Sequence, residues 1–179
     1  MLIQAGAKLK AMRALIRSGE TEKVCLFAQV SRNRELYIMA ANYLQTRDWH
    51  SDLNLLKQII VFYEKARAYE QLAAFYGSCA HYEIDECQQF EKALDALHEA
   101  QRCLARMLQA ARAGGKGRSA EGARAESAFG EGQAASAVNE TALEARLREL
   151  DPHISNLQMF CDARRYVFRT CKWFSMRGV

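Results

Sequence analysis

Met39-Ala40-Ala41-Asn42-Tyr43 is echoed 33 residues later in the chain by Leu72-Ala73-Ala74-Phe75-Tyr76. Both stretches place small and apolar residues at the three- and four-residue spacing of one helix face. A period of about 33–34 residues is typical of helix–turn–helix repeats, which stack side by side and bury a continuous core. The echo therefore predicts a helical repeat array, and the faces of such arrays hold other proteins.

The rest of the first 112 residues has the same character. Apolar residues at helical spacing predict six helices, and strand signals are scarce in a chain with one proline, Pro152. We therefore predict an all-α fold, a tetratricopeptide-like helical-hairpin solenoid. The six predicted helices span residues 2–17, 22–31, 34–46, 53–65, 67–79 and 83–112.

Composition divides the chain into three parts. Residues 1–112 are the predicted repeats. Residues 113–139 hold six of the ten glycines, eight alanines and one aromatic residue. This composition offers too little apolar surface to offset the entropy lost on ordering, so it predicts a flexible Gly/Ala linker. Residues 140–179 predict a C-terminal helix followed by a basic-aromatic tail.

The C-terminal helix carries its own apolar seam, which we expect to pair antiparallel with the sixth helix. Thr141 begins a capping-box pattern at its start. Asp151-Pro152 predicts that one helix ends and another begins there, with a kink as the alternative. The seam consists of Leu143, Leu147, Leu150, Ile154, Leu157 and Cys161.

The histidines, cysteines and acidic residues form no motif for chemistry. The four histidines and six cysteines match no zinc or catalytic spacing, so reduced buried thiols are the favoured interpretation. Glu83, Asp85 and Glu86 are expected at a helix start, where carboxylates complement the helix dipole. We predict no catalytic, cofactor-binding or metal-binding residues and hence no enzyme. Thr21 and either Ser51 or Asp52 are predicted helix caps.

The net charge of +4 is concentrated at the C-terminus. Five basic residues and no acidic ones follow Asp162, whereas the rest of the chain has 20 Lys+Arg against 21 Asp+Glu. The body thus lacks the basic footprint of a nucleic-acid binder. Aromatic and basic residues alternate over 164–177, which is compatible with binding single-stranded nucleic acid or a membrane surface. A frayed tail and a helix end packed on the solenoid are two further interpretations of the same residues.

Segments for secretion or membrane insertion are not apparent. No run approaches the ~18 apolar residues of a transmembrane helix, and the N-terminus lacks a sustained apolar core. We therefore expect a soluble intracellular protein.

Several stretches together resemble a known family. The most specific is Tyr37-Ile38-Met39-Ala40-Ala41-Asn42-Tyr43-Leu44-Gln45, and others lie at 15–23, 72–76, 83–86 and 90–93. Over residues 6–108 the chain resembles the C-terminal repeat region of the intraflagellar transport protein 140 family, whose members are subunits of intraflagellar transport complex A. After Asp162-Ala163-Arg164-Arg165 the resemblance ends.

The resemblance implies a scaffold without a catalytic site or cofactor. Family members carry N-terminal β-propellers and a long tetratricopeptide-like solenoid. They assemble with the other complex A subunits in the cilium and at the ciliary base, on the cytoplasmic side, and support retrograde transport, receptor entry and cilium assembly. This sequence contains no propeller, so we expect a fragment, a truncated gene model or a partial paralogue, and we expect its uncapped solenoid ends to self-associate.

Tyr37 and Trp49 are candidate partner-binding residues, and they are equally good candidates for the core. The alternative function is a general repeat adaptor that holds a peptide or partner helix in its groove, for which Lys8 and Asn42 are scattered candidates.

Overall fold

The computed structural model describes the backbone of residues 2–116 and 131–176, and the side chains of residues 6–113 and 140–168. The described residues form seven helices and no strands, which confirms the all-α prediction. The chain divides into two compact units, Met1–Leu72 and Ala73–Val179. The helices are α1 (Leu2–Ser18), α2 (Thr21–Ser31), α3 (Arg34–Gln45), α4 (Leu53–Ala66), α5 (Tyr69–Asp85), α6 (Phe90–Lys116) and α7 (Glu131–Met176).

The first unit is a stack of helical hairpins. In this unit α1 packs against α2, α2 against α3 and α3 against α4, and α1 also contacts α3, so the first hairpin lies against the second. Ala40 and Ala41 are fully buried on α3, where their small side chains let α4 approach closely. The remaining buried residues of α3 and α4 are Leu36, Tyr37, Tyr43, Leu44, Ile59, Phe62, Tyr63 and Ala66.

The turns that end α2 and α4 show the true repeat length. Arg32 and Arg67 follow these helices in the left-handed conformation, with φ of 47° and 52°. They lie 35 residues apart, as do the starts of α3 and α5. The echo at 33 residues is therefore not the structural register. Met39 is the sixth residue of its helix and Leu72 the fourth, which accounts for the difference of two.

Side chains cap the helices of the first unit, though not always as predicted. Asp52 caps α4 as predicted, because its Oδ1 accepts the backbone N–H of Asn54 at 2.8 Å. Asn33 does the same for α3. Thr21 is the first residue of α2 rather than its N-cap, which is Glu20, without a side-chain cap. Arg34 donates from Nε to the carbonyl of Ala66 at 2.9 Å, which ties the start of α3 to the end of α4.

The second unit is built on an antiparallel pair, α6 and α7. Arg112 pairs with Glu144 at 2.7 Å near one end, Gln101 donates to Asp151 at 2.8 Å in the middle, and Phe90 meets Phe160 edge-on at 4.7 Å near the other. The predicted seam is confirmed, since Leu143 and Cys161 are buried and residues between them contribute to an apolar cluster. That cluster contains Ala80, Ala93, Leu97, Ile84, Ala96, Leu150, Ile154 and Leu157.

Three local predictions in the second unit are wrong. The fifth helix runs on to Asp85, so Glu83 and Asp85 lie in its last turn and do not complement the dipole of a following helix. Thr141 lies inside α7 rather than at its start. Pro152 also lies inside α7, so the predicted helix end and restart are wrong, because the seam on both sides of it packs against α6; the alternative of a kink stays a prediction.

The predicted linker lies largely outside the described residues. Residues 117–130 fall there, and α6 and α7 extend into the predicted range from its two ends. The last residues of the predicted tail, 177–179, also lie outside the described residues.

Candidate protein-interaction surface

The two aromatic residues named as candidate contacts are buried. The side chains of Tyr37 and Trp49 are 7% and 8% exposed. The ring of Tyr37 packs 5.7 Å from that of Phe62, and the ring of Trp49 lies 3.5 Å from that of His50. These contacts favour the core alternative for both residues. Whether either ring contacts a partner stays a prediction.

A polar group is built into the core of the first unit. The Tyr63 hydroxyl donates to Oδ1 of Asn42 at 2.6 Å and accepts from Nε2 of Gln45 at 2.7 Å. Burial raises the pKa of Tyr63 to about 12. The hydroxyl thus stays protonated at neutral pH and serves to align α4 with α3, not to transfer a proton.

Arg47 fixes the turn between α1 and α2 to the end of α3. Its guanidinium donates to the carbonyl of Gly19 at 3.1 Å and, from Nε, to the hydroxyl of Tyr43 at 3.1 Å. Burial raises the pKa of Tyr43, but hydrogen bonds to Arg47 and Thr21 and the charge of Arg47 outweigh it, so the net pKa is lowered. The contacts of this cluster orient the backbone, which is a structural role.

Two of the thiols, those of Cys25 and Cys79, are poorly suited to chemistry. Cys25 donates to Oε1 of Gln58 at 3.0 Å, and burial raises its pKa. Burial, with the nearby Glu83 carboxylate, raises the pKa of Cys79 to about 12. Thiols with raised pKa values are weak nucleophiles and weak metal ligands at neutral pH. Within the described residues, no three His, Cys, Asp or Glu side chains cluster as a metal site would require.

The surface of the first unit has a repeated apolar feature. Leu26 and Val30 are 62% and 74% exposed and lie one turn apart on the same face of α2. Val61 on α4 is also exposed and follows Leu26 by 35 residues, the structural repeat. We call Leu26, Val30 and Val61 the outer apolar row. Single exposed apolar residues are ordinary, but adjacent ones mark an interaction site, and the Leu26 position recurs as Val61 although the position equivalent to Val30 is Lys65.

Sequence reasoning missed this row, although a signal was present. The predicted stripe of α2 consists of Val24, Phe27 and Ala28, which leaves Leu26 and Val30 on the opposite side of the helix. Apolar residues outside the buried stripe of an amphipathic helix indicate a second contact face. The helical positions of Leu26 and Val30 are therefore enough to predict the row.

Two protein-family models match this chain, and both describe tetratricopeptide-repeat domains. Residues 1–62 match the tetratricopeptide-repeat domain of intraflagellar transport proteins 140 and 172, and residues 70–126 match the C-terminal tetratricopeptide-repeat domain of protein 140. The chain belongs to the intraflagellar transport protein 140 family. The two matches are consecutive and together cover about two thirds of the sequence. They confirm both the predicted tetratricopeptide repeats and the resemblance seen in the sequence.

Membership of this family indicates that the site is a surface for protein–protein interaction. Tetratricopeptide-repeat domains are typically modules for protein–protein interaction. The outer apolar row lies within the first matched domain, whereas residues 127–179 lie outside both matches. Among the helices that the structure describes, none has the length and apolar content needed to span a bilayer.

Proposed function

We propose that this chain is a non-enzymatic scaffold segment of intraflagellar transport complex A. It acts in the cilium and at the ciliary base, where it supports retrograde transport and cilium assembly through contacts with other complex A subunits. The observation that carries the proposal is the pair of consecutive family matches over a stack of helical hairpins. The buried Tyr63 group and the buried thiols serve packing rather than catalysis.

The outer apolar row is the proposed contact with a partner subunit. Protein interfaces bury apolar side chains at their centre, and the row offers such side chains on the face of α2 that does not pack inside the unit. A partner helix laid across equivalent positions of successive repeats would meet Leu26 and Val61 in turn.

The proposed domain arrangement follows the composition. Repeats at 1–112 supply the binding face and residues 140–179 form the C-terminal helix and tail, while the linker predicted at 113–139 excludes residues 113–116 and 131–139, which are helical. The Arg112–Glu144 ion pair supports this arrangement, because it brings together residues from the two edges of that linker.

The test is affinity purification of the tagged chain from ciliated cells. The wild-type chain should recover complex A subunits, and Leu26→Gln/Val30→Gln should recover at least about ten-fold less, since it removes apolar surface at the centre of the contact. Leu53→Gln is the matched control, because Leu53 is an exposed leucine outside the row. Circular dichroism should show that both variants stay helical.

Two results would count against this proposal. Equal recovery by the row variant and by Leu53→Gln would show that the row is not the contact. Recovery of no complex A subunit by the wild-type chain would show that the family resemblance does not extend to assembly.

A further inference from the structure

The first unit carries an excess of positive charge that the totals for the chain conceal. Residues 1–72 contain 11 Lys+Arg against 7 Asp+Glu, whereas residues 73–163 contain 9 against 14. The near balance of charge over residues 1–163 therefore combines a basic first unit with an acidic part of the second. A surface with an excess of one sign of charge attracts partners of the opposite sign.

Four cations of the first unit lie at one of its edges. Arg32 follows the end of α2, and Arg67 follows the end of α4 one structural repeat later. Nε of Arg34 donates to the carbonyl of Ala66 at 2.9 Å, so the residues next to Arg32 and those next to Arg67 are neighbours in space. Lys65 directly precedes Ala66 on α4. We call Arg32, Arg34, Lys65 and Arg67 the basic edge.

The charges of the basic edge are not neutralised by the described part of the chain. All four residues are exposed, and none of the carboxylates whose side chains the structure describes forms an ion pair with any of them. Glu35 and Glu64 are the acidic residues of the stretches 32–35 and 64–67, which thus hold four basic residues against two acidic ones. The ammonium of Lys65 lies 5.8 Å from the centroid of the Tyr37 ring. The edge can therefore pair with carboxylates that another molecule supplies.

Arg32 and Arg67 also occupy a backbone conformation that favours glycine. Their φ angles are 47° and 52°, where a residue with a Cβ atom is strained. Residues held in such conformations are frequent at functional sites. Arginine stands at this position in two successive repeats, and its exposed side chain pairs with no described carboxylate. Both side chains are therefore available for a contact outside the unit.

The basic edge adjoins the outer apolar row. Val30 of the row precedes Arg32 by two residues. Val61 of the row lies one helical turn from Lys65 on the same face of α4. A partner that covers the row would therefore reach the edge as well.

We propose that the basic edge binds an acidic segment of the protein that covers the outer apolar row, with Asp or Glu side chains placed against Arg32 and Arg67. This inference rests on the proposed function, because it gives the chemistry of the partner that the first unit contacts. The planar guanidinium of arginine pairs with a carboxylate through two parallel hydrogen bonds, which favours carboxylates in particular. Successive repeats would then contact successive acidic residues of the partner.

Nucleic acid and membrane surfaces fit the edge less well. Both are commonly bound by cations together with exposed aromatic rings, which stack on bases or enter the headgroup region. Every Phe, Tyr and Trp among the described side chains of the first unit is buried or half-buried. The edge therefore lacks the rings that these two surfaces use.

The test is affinity purification of the full tagged chain from ciliated cells. Arg32→Gln/Arg67→Gln should recover at least about ten-fold less of the complex A subunits than wild type, because two carboxylate contacts lose their cations. Recovery by the wild-type chain should fall as the salt concentration of the wash rises, since salt screens exposed charges.

Arg13→Gln/Arg17→Gln is the matched control, because it removes two charges from exposed arginines of α1. Arg17 lies at the other edge of the unit. Arg47, shortly after α3, donates to the carbonyl of Gly19, directly after α1, at 3.1 Å, which places the ends of α1 and α3 together. The control should recover the subunits like wild type, and circular dichroism should show that both double variants stay helical.

Carbodiimide crosslinking gives a second readout, which identifies the carboxylate. The reagent joins an ammonium to a carboxylate in direct contact, with loss of water and without a spacer. Mass spectrometry should find Lys65 joined to an Asp or Glu of a recovered subunit. Lys65→Arg should abolish this bond and keep the recovery, because arginine retains the charge but does not form the amide.

The possible outcomes separate this inference from the proposed function. Equal recovery by Arg32→Gln/Arg67→Gln and by the control would overturn the inference and leave the proposed function standing. So would recovery that nuclease abolishes, or binding of anionic vesicles that is lost only in Arg32→Gln/Arg67→Gln, since the edge would then bind nucleic acid or lipid. If the wild-type chain recovered only proteins outside complex A, the proposed function would fail, whereas a bond from Lys65 to a carboxylate of those proteins would still support the acidic partner. Recovery of no protein would overturn both.

Discussion

Arg67 adopts a strained backbone conformation at the end of a repeat helix. It ends α4 at a φ of 52°, a region that glycine enters readily and that costs other residues about 1–2 kcal/mol. Its backbone N–H donates to the carbonyl of Glu64 at 2.9 Å, so the conformation closes the helix end. The side chain itself is exposed.

Replacing Arg67 with glycine should therefore stabilise the protein. We expect the free energy of unfolding to rise by about 0.5–1 kcal/mol in Arg67→Gly, because the relief of strain exceeds the added entropy of the unfolded chain. Urea denaturation measures this. Lys57→Gly, at an exposed position inside α4, is the control and should lower stability by about 1 kcal/mol. A loss of stability in Arg67→Gly would mean that the arginine side chain stabilises the fold.

Tyr63 should make the stability of the protein depend on pH in the alkaline range. Its pKa is about 12 when folded and about 10 when unfolded, so below pH 10 both states keep the proton. Between pH 10 and 12 the unfolded chain releases this proton first, and the free energy of unfolding falls as pH rises.

Tyr63→Phe should flatten that part of the pH dependence. It should also cost about 1 kcal/mol at neutral pH, because Asn42 and Gln45 lose their shared partner. Chemical denaturation at a series of pH values measures both effects, with Tyr69→Phe as a control outside this group. The same slope in Tyr63→Phe and wild type would assign the alkaline loss to other residues.

At the scale of helices, the sequence predicts the helix ends that caps and apolar spacing determine. The first four helices were predicted to within one residue at each end, because caps such as Asp52 and the spacing of apolar residues mark them. The boundary between α5 and α6 was misplaced. There the chain turns at Gln88 with a φ of 53°, and no glycine or proline in the surrounding sequence indicates this turn.

At Pro152, tertiary packing outweighs the tendency of proline to end a helix. Proline inside a helix removes one backbone hydrogen bond and crowds the preceding turn. Even so, α7 continues through it, because Leu150 and Ile154 on either side are held in the apolar cluster and Asp151 accepts from Gln101. These tertiary contacts are not visible in the sequence around Pro152.

Pro152→Ala should stabilise the second unit. We expect the free energy of unfolding to rise by about 1–3 kcal/mol, because the substitution restores the N–H and removes the clash at an exposed position. Thermal unfolding followed by circular dichroism measures this, and His153→Ala, at the next exposed position, should change stability by less than about 0.5 kcal/mol. No gain in Pro152→Ala would mean that α7 accommodates the ring without losing a bond.

The candidate surface was less predictable than the helices. Tyr37 and Trp49 are amphipathic aromatic residues, and a pattern of spacing does not decide whether such a ring faces the core or a partner. Their burial depends on Phe62 and on the path of the connector after α3, which are tertiary features. Leu26 and Val30, by contrast, could have been found from the sequence.

At the scale of the whole molecule, exposed apolar surface and charge are distributed unevenly. The outer apolar row lies in the first unit, and the basic-aromatic residues lie at the end of α7 in the second. Exposed apolar side chains of this kind favour association. The isolated chain is thus expected to form oligomers.

Light scattering at micromolar concentration tests this expectation. The wild-type chain should have an apparent mass above its 20.3 kDa, falling on dilution. If association uses the solenoid ends, Leu26→Gln/Val30→Gln should leave the mass unchanged, whereas a fall to the monomer mass would place the contact on the outer apolar row. A wild-type chain that stays monomeric throughout would contradict the prediction.

The matching turns at Arg32 and Arg67 have a consequence for how such chains change in length. Because both residues leave their helices in the same conformation, removing or duplicating the 35-residue unit 33–67 would rejoin backbone ends that already match. One or two residues inserted inside a helix would instead rotate its remaining part and move its apolar stripe away from its neighbour. A gene of this kind can therefore gain or lose whole 35-residue repeats while the same turn joins the helices.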